Sequence, residues 1–258
     1  MKVVLHPRRN VDMKTLTTIT LALVSLFAGL AGISLGAQAV SPPPVRDYLM
    51  PRDAELALIK TAAPANITSR ATLKVLTPAG YELAHTGDNG FVCLVMRGWT
   101  APTYTPKQFR NLIYDATVRA PICFDPVASK TVMPYYELRS KLGMEGKTPD
   151  QIAEAVQAAY ATGQLPKRDA VSFAYMWSAD QHLGPGIGHW HPHLMVFAPY
   201  YENAMMGNNE FGSPLPQVSD DAGTPFAVVV IPVDHGLAIK VEGGNKAGTT
   251  GATKGGNK

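Results

Sequence analysis

The hydrophobic and polar positions fall into two groups of strand-like runs with helical texture between them. From Ala71 to Arg97 the runs ATLKVL, YELAH and FVCLVMRGW are separated by Pro78-Ala79-Gly80 and Gly87-Asp88-Asn89-Gly90. Turn residues between β-rich runs of this length predict successive hairpins. The third run is continuously apolar, as expected of a strand in the middle of a sheet. Beyond residue 170 come VSFAYMWS (171–178), HLMVFAP (193–199) and PFAVVVIPV (225–233).

Between the groups, Thr105-Pro106 predicts a short helix reaching Thr117. Asp125-Pro126 predicts a longer one that Met133-Pro134 should kink or split. Thr148-Pro149-Asp150-Gln151 pairs a Thr N-cap with Pro at N1 and Gln at N3, a capping box ahead of a helix that Gly163 ends. Upstream, Arg52 to Ala62 predicts a short helix stopping before Pro64. The pattern predicts an α+β fold: a mostly antiparallel sheet with helices inserted between strands and packed on one face. Because the helical stretch interrupts a set of strands, residues 52–240 are expected to form a single domain.

The two ends have a different texture. Lys14 precedes the apolar run LTTITLALVSLFAGLAGISLG and the small-x-small site Ala37-Gln38-Ala39, so 1–39 is expected to be a signal peptide. Met13 would give a more usual charged region than Met1, which leaves two candidate starts. The run is just long enough to be a permanent anchor, but its Gly and Ser content and its Ala-x-Ala ending favour cleavage. No stable membrane span is then expected, and the address is periplasmic or secreted. Residues 40–51 read as a Pro-rich extended linker. Residues 241–258 read as a disordered Gly/Thr/Lys tail.

The formal charge of the 258-residue chain is +3, and the leader carries it. With the leader (Lys2, Arg8, Arg9, Lys14, Asp12) and the tail (Lys246, Lys254, Lys258, Glu242) set aside, 16 basic and 18 acidic residues remain. A body without net positive charge or a basic stripe offers nucleic acid no electrostatic handle, which excludes that class. The two cysteines, Cys93 and Cys123, are expected to form one disulfide in an exported protein. Two buried thiols, or a Cys123 activated at the helix start marked by Asp125-Pro126, are the alternatives.

Four of the seven histidines lie between 182 and 193. His189, His191 and His193 recur at every second position and Met195 continues the series, so an extended backbone would set all four on one surface. Neutral imidazole is the commonest metal ligand. A straight strand would separate His189 from His193 by about 13 Å, so one ion needs a bend at Pro192 or a ligand from elsewhere. The candidate metal set is His189, His191 and His193, with His182 or Met195 next, and the candidate ion is copper or zinc. Glu202, Asp180 or Glu210 could serve a metal-bound water as base, and nothing selects among them. The other reading is a hydrogen-bonded aromatic–imidazole segment around Trp190 with no ion. Asp234-His235 carries little weight as a dyad, because neighbours on a strand face opposite ways.

Taken together, GDNGFVCLV (87–95), RAPICFDP (119–126) and GHWHPHLMVF (188–197) resemble a group of exported bacterial proteins to which no activity attaches. The resemblance covers most of the mature chain and implies export and a shared fold only. Seven histidines are too few for the multicopper oxidase motifs, and a cut leaving Val40 excludes a histidine-brace copper site. In a cupin, His-x-His is followed by a Glu, and Glu202 falls beyond that spacing. The leading expectation is an exported protein with a histidine-rich copper or zinc site, with a metal-dependent enzyme as its catalytic form. The alternative is a non-catalytic envelope or binding protein whose histidine run is structural and whose 200–224 loop presents the surface.

Overall fold

In the computed structural model, residues 42–98, 114–184, 188–210, 212–218 and 222–241 are described. The predicted leader, most of the first inserted helix and the tail beyond Val241 lie outside them. Among the described residues eight strands form one sheet: β1 (Thr72–Thr77), β2 (Gly80–His85), β3 (Val92–Gly98), β4 (Asp115–Phe124), β5 (Ser172–Met176), β6 (His193–Phe197), β7 (Gln217–Val218) and β8 (Val228–Pro232). Their order is β2-β1-β3-β4-β5-β6-β8-β7. Only the β1–β3 pair is parallel, so the sheet is mixed but mostly antiparallel.

The first hairpin forms as predicted, with Leu76 opposite Tyr81 and Thr77 opposite Gly80. The second turn does not make a hairpin. β3 crosses to the far side of β1 and runs parallel to it, because the 86–91 connection docks on the entrance to β1. There the amides of Asp88 and Asn89 donate to the Arg70 carbonyl, and Thr72 donates to Phe91. Gly87 is required at this crossing, since a Cβ there would lie 2.1 Å from the Arg70 oxygen.

β4 was not foreseen as a strand, and the helix expected to reach Thr117 gives way to it from Asp115. Pro121 in its middle argues against a central strand. The register removes the conflict: Arg119 donates to His182 on the side away from β3, and Pro121, two residues on, faces the same way. Its missing N–H therefore falls in the gap before β4 meets β5 at Cys123 and Phe124, and no bond to β3 is lost.

The inserted helices are α4 (Ala128–Thr131), α5 (Met133–Met144) and α6 (Pro149–Ala161). Asp125 starts this region, its carboxylate accepting from the Ala128 amide at 2.5 Å. The expected break before Pro134 occurs at Val132. The Thr148 capping box forms in both directions. These helices cover one sheet face, where Leu94, Ile122, Phe124, Ala174, Phe197 and Val228 share a core with Tyr135, Ile152 and Val156. Each such side chain contributes about 1.5–3 kcal/mol by leaving water.

The N-terminal helices are α1 (Val45–Tyr48), α2 (Arg52–Ile59) and α3 (Ala65–Thr68). α2 packs on the opposite face, its Leu58 and Ile59 against Leu73, Val75, Cys93 and Val95. The stretch read as a linker carries the α1 turn and buries Tyr48 completely. The reason is Arg97, whose Nε donates to the Tyr48 carbonyl at 2.7 Å and whose Nη1 donates to Val95. The Arg97 charge meets Glu55 of α2 at 2.7 Å, with both side chains out of contact with water.

Cys93 and Cys123 sit directly opposite each other on β3 and β4 and form a disulfide. Cys123 is therefore neither a free thiol nor at a helix start. Among the described residues, no helix is long and apolar enough to cross a membrane.

Candidate functional site

The alternation of the histidine run does not survive folding as one surface. β6 begins at His193, and 188–192 form an irregular approach to it. His193 and Met195 share the face packed by α5 and α6, opposite Met176 and Ala174 of β5. His193 is 2% exposed, and Met195 packs against the principal core. His189 stands exposed on the loop and His191 is half-buried.

One buried glutamine holds this loop. Gln181 Nε2 donates to the carbonyls of Trp190 and His191, both at 3.0 Å. The backbone carbonyl of Gln181 faces His189 Nδ1 at 2.9 Å. A carbonyl can only accept, so Nδ1 of His189 carries the proton and Nε2 keeps a lone pair. The same holds for His193, whose Nδ1 lies 3.0 Å from the His191 carbonyl. His182 is reversed, because its Nδ1 accepts from the Gly184 amide at 3.3 Å and the proton goes to Nε2.

The rings gather in pairs rather than in one group. The indole of Trp190 lies 4.8 Å from the rings of both His191 and His193. His182 meets His189 edge-on at 5.6 Å. His191 meets His235 edge-on, also at 5.6 Å. Asp234 takes no part in a dyad, since its carboxylate caps the turn that carries His235 by accepting from the Gly236 amide. Among the described residues, no three His, Cys, Asp or Glu side chains converge as a metal cage would require.

Burial pushes the imidazole of His193 down to about 4, so it is neutral in the fold near neutral pH. Burial also lowers His191, and the neighbouring His235 lowers it further. His191 Nε2 is a buried atom without a hydrogen-bond partner. Of the three candidate bases, Asp180 is occupied as the acceptor of the Val241 amide at 2.8 Å. Glu202 and Glu210 are exposed on the long loop.

A cleft of about 1010 Å³ opens elsewhere, between α2, α3, the β1–β2 hairpin and Ile239-Lys240. Of the histidines only His85 lines it. No protein-family model, no curated protein and no solved structure matches the chain. His235, given little weight in the sequence as half of an Asp234-His235 dyad, is the histidine that meets His191. It reaches His191 only because β6 and β8 are neighbours, with His193 opposite Pro232, and no local spacing announces that.

Proposed function

We propose that the protein works outside the cytoplasm as a binder of copper or zinc, with the ion held by the imidazoles of His191 and His235. The carrying observation is the buried, unpartnered Nε2 of His191, on a ring whose centre lies 5.6 Å from that of the exposed His235 ring. Two imidazoles sharing one ion at tetrahedral angles have ring centres about 5 Å apart, so a small rotation of His235 closes the pair. Water would complete the shell, and an all-nitrogen pair suits either ion. Met195 and His193 are withdrawn into the core and His182 presents a protonated nitrogen, so none of them joins the pair. No reaction is assigned: the Asp234 carboxylate beside His235 is engaged as the cap of its turn. The disulfide and the leader-like N-terminus support the extracytoplasmic setting.

Titration of the purified mature protein with Zn²⁺ and Cu²⁺, followed by calorimetry and elemental analysis, tests this reading. One ion per chain is expected, lost in His191→Ala and in His235→Ala and retained in His189→Ala. Substoichiometric metal, or full binding by His235→Ala, overturns it. The Gln181–Trp190–His193 network favours a second reading, a non-catalytic binding protein whose histidine segment only packs. In that case the His191→Ala/His235→Ala double variant keeps both its fold and its metal content unchanged.

A further inference from the structure

A second concentration of chemistry lies between α5, α6 and one end of the sheet, independent of the histidines. Arg139 on α5 is 1% exposed, and Arg168, in the irregular segment before β5, is 8% exposed. Among the described residues no carboxylate lies within 4 Å of either guanidinium. Arg97 shows the usual arrangement, a buried guanidinium with its charge met by Glu55. A buried charge without such a partner is strongly disfavoured, so two in one place call for an explanation.

Aromatic rings meet part of the charge. The Arg139 guanidinium carbon lies 4.4 Å from the centre of the Tyr135 ring and 4.7 Å from that of Tyr136. The Arg168 carbon lies 4.7 Å from the same Tyr135 ring and 4.5 Å from Phe226. Since both cations lie over Tyr135, their carbons can be no more than the sum of those two distances apart, about 9 Å. Ring faces offset charge but accept N–H bonds poorly. Arg139 Nη1 donates to the Tyr135 hydroxyl at 2.8 Å. Among the described residues, the Nε of Arg139 lacks an acceptor and the Nε and Nη2 of Arg168 lack a well-formed one, the Tyr160 hydroxyl being the group that the Arg168 guanidinium approaches.

The surroundings repeat the deficit. Among the described residues, the hydroxyl of Ser172 and both amide atoms of Gln217 are buried without hydrogen-bond partners, and the Tyr160 hydroxyl is met by the Arg168 guanidinium. Ser172 is opposite Phe197, which is opposite Val228, and Gln217 is opposite Val230. Cross-strand partners share a face, so these residues lie on the side packed by α5 and α6. The Tyr160 ring touches Phe226 at 4.9 Å. Burial raises its phenol above the ordinary range while Arg168 and Arg139 pull it back, so it is a proton-bearing donor near neutral pH. Phe226 and Gln217 both come from the long connection after β6, which therefore forms one wall of the cluster.

Guanidinium forks, hydroxyls and an amide, with no carboxylate within 4 Å of either guanidinium among the described residues, complement an oxyanion. We propose that this aromatic-walled cluster binds a small organic anion, its carboxylate or phosphate group held between Arg139 and Arg168. Exposed Lys167 and Asp169 flank Arg168 in the chain, so this end of the cluster borders solvent.

The test is a titration of the wild-type protein with inorganic phosphate and, separately, with benzoate, at constant ionic strength in NaCl. Arginine side-chain N–H signals are followed by NMR. Saturable shifts of the Arg139 and Arg168 Nε–H signals are expected, with the Arg97 signal unmoved because its acceptors are within the chain. The probe giving the tighter curve identifies phosphate or carboxylate as the preferred head. Arg168→Lys keeps the charge but loses the fork, and should bind at least tenfold more weakly with its melting temperature followed in parallel. Absence of saturable shifts with either probe overturns the proposal, as does equal binding by folded Arg168→Lys. If that variant does not fold, the wild-type titration alone decides.

Discussion

Glu55 and Arg97 form an ion pair at 2.7 Å with neither side chain in contact with water. The carboxylate also accepts from the Leu76 amide at 3.2 Å, which ties α2 to β1 and β3 together. Removing one partner leaves the other charged and buried. Glu55→Gln or Arg97→Met should therefore destabilise the fold by about 3–5 kcal/mol in urea denaturation. The double replacement Glu55→Leu/Arg97→Met should cost less than either single change, and a larger additive loss would refute this account of the pair.

The Cys93–Cys123 bridge spans a sequence separation of 30 residues. Loop-closure entropy for that length gives a stabilisation of about 3–4 kcal/mol. Reduction, or the Cys93→Ala/Cys123→Ala variant, should lower the urea midpoint accordingly while circular dichroism retains the sheet signature. An unchanged midpoint after verified reduction would show that the bridge adds nothing to the fold.

His193 makes stability depend on pH with a definite sign. Its folded pKa is about 4, below the ordinary value of 6.5. Between those values the unfolded chain takes up a proton that the folded chain refuses, so stability falls as pH drops from about 6.5 to 4 and this contribution levels off below. The loss is on the order of 3 kcal/mol. In His193→Phe the slope of stability against pH over that window should flatten. Equal slopes in the two proteins would place the acid sensitivity elsewhere.

Thr148→Ala removes the acceptor for the Gln151 amide at the start of α6. A loss of about 1 kcal/mol is expected by thermal denaturation, with Thr148→Ser restoring most of it. No loss would mean that Pro149 and the packing of Ile152 and Val156 define the helix start unaided.

Six of the eight strands were legible because their apolar runs are bounded by turn residues and two of them, Val228–Pro232 and Val92–Gly98, are nearly unbroken β-branched or apolar stretches. β4 was hidden by Pro121, whose harmless placement depends on register with strands far along the chain. β7 is two residues long and carries no periodicity. The histidine segment was legible in composition but not in geometry. Pro192 and the hydrogen bonds from Gln181 end the strand at His193, so the spacing that suggested one surface divides between a loop and the core. Nothing in the local sequence sets Arg139 and Arg168 apart, since burial of a lone charge is a tertiary property.

The bond from Arg97 to the Tyr48 carbonyl fixes where a shortened gene product can begin. A version starting at Arg52, where the helical pattern first becomes visible, would strand a guanidinium proton inside the protein and uncover the space that Tyr48 fills. Recombinant boundaries placed upstream of Pro44 should yield material that folds, and those placed at the visible helix should give inclusion bodies.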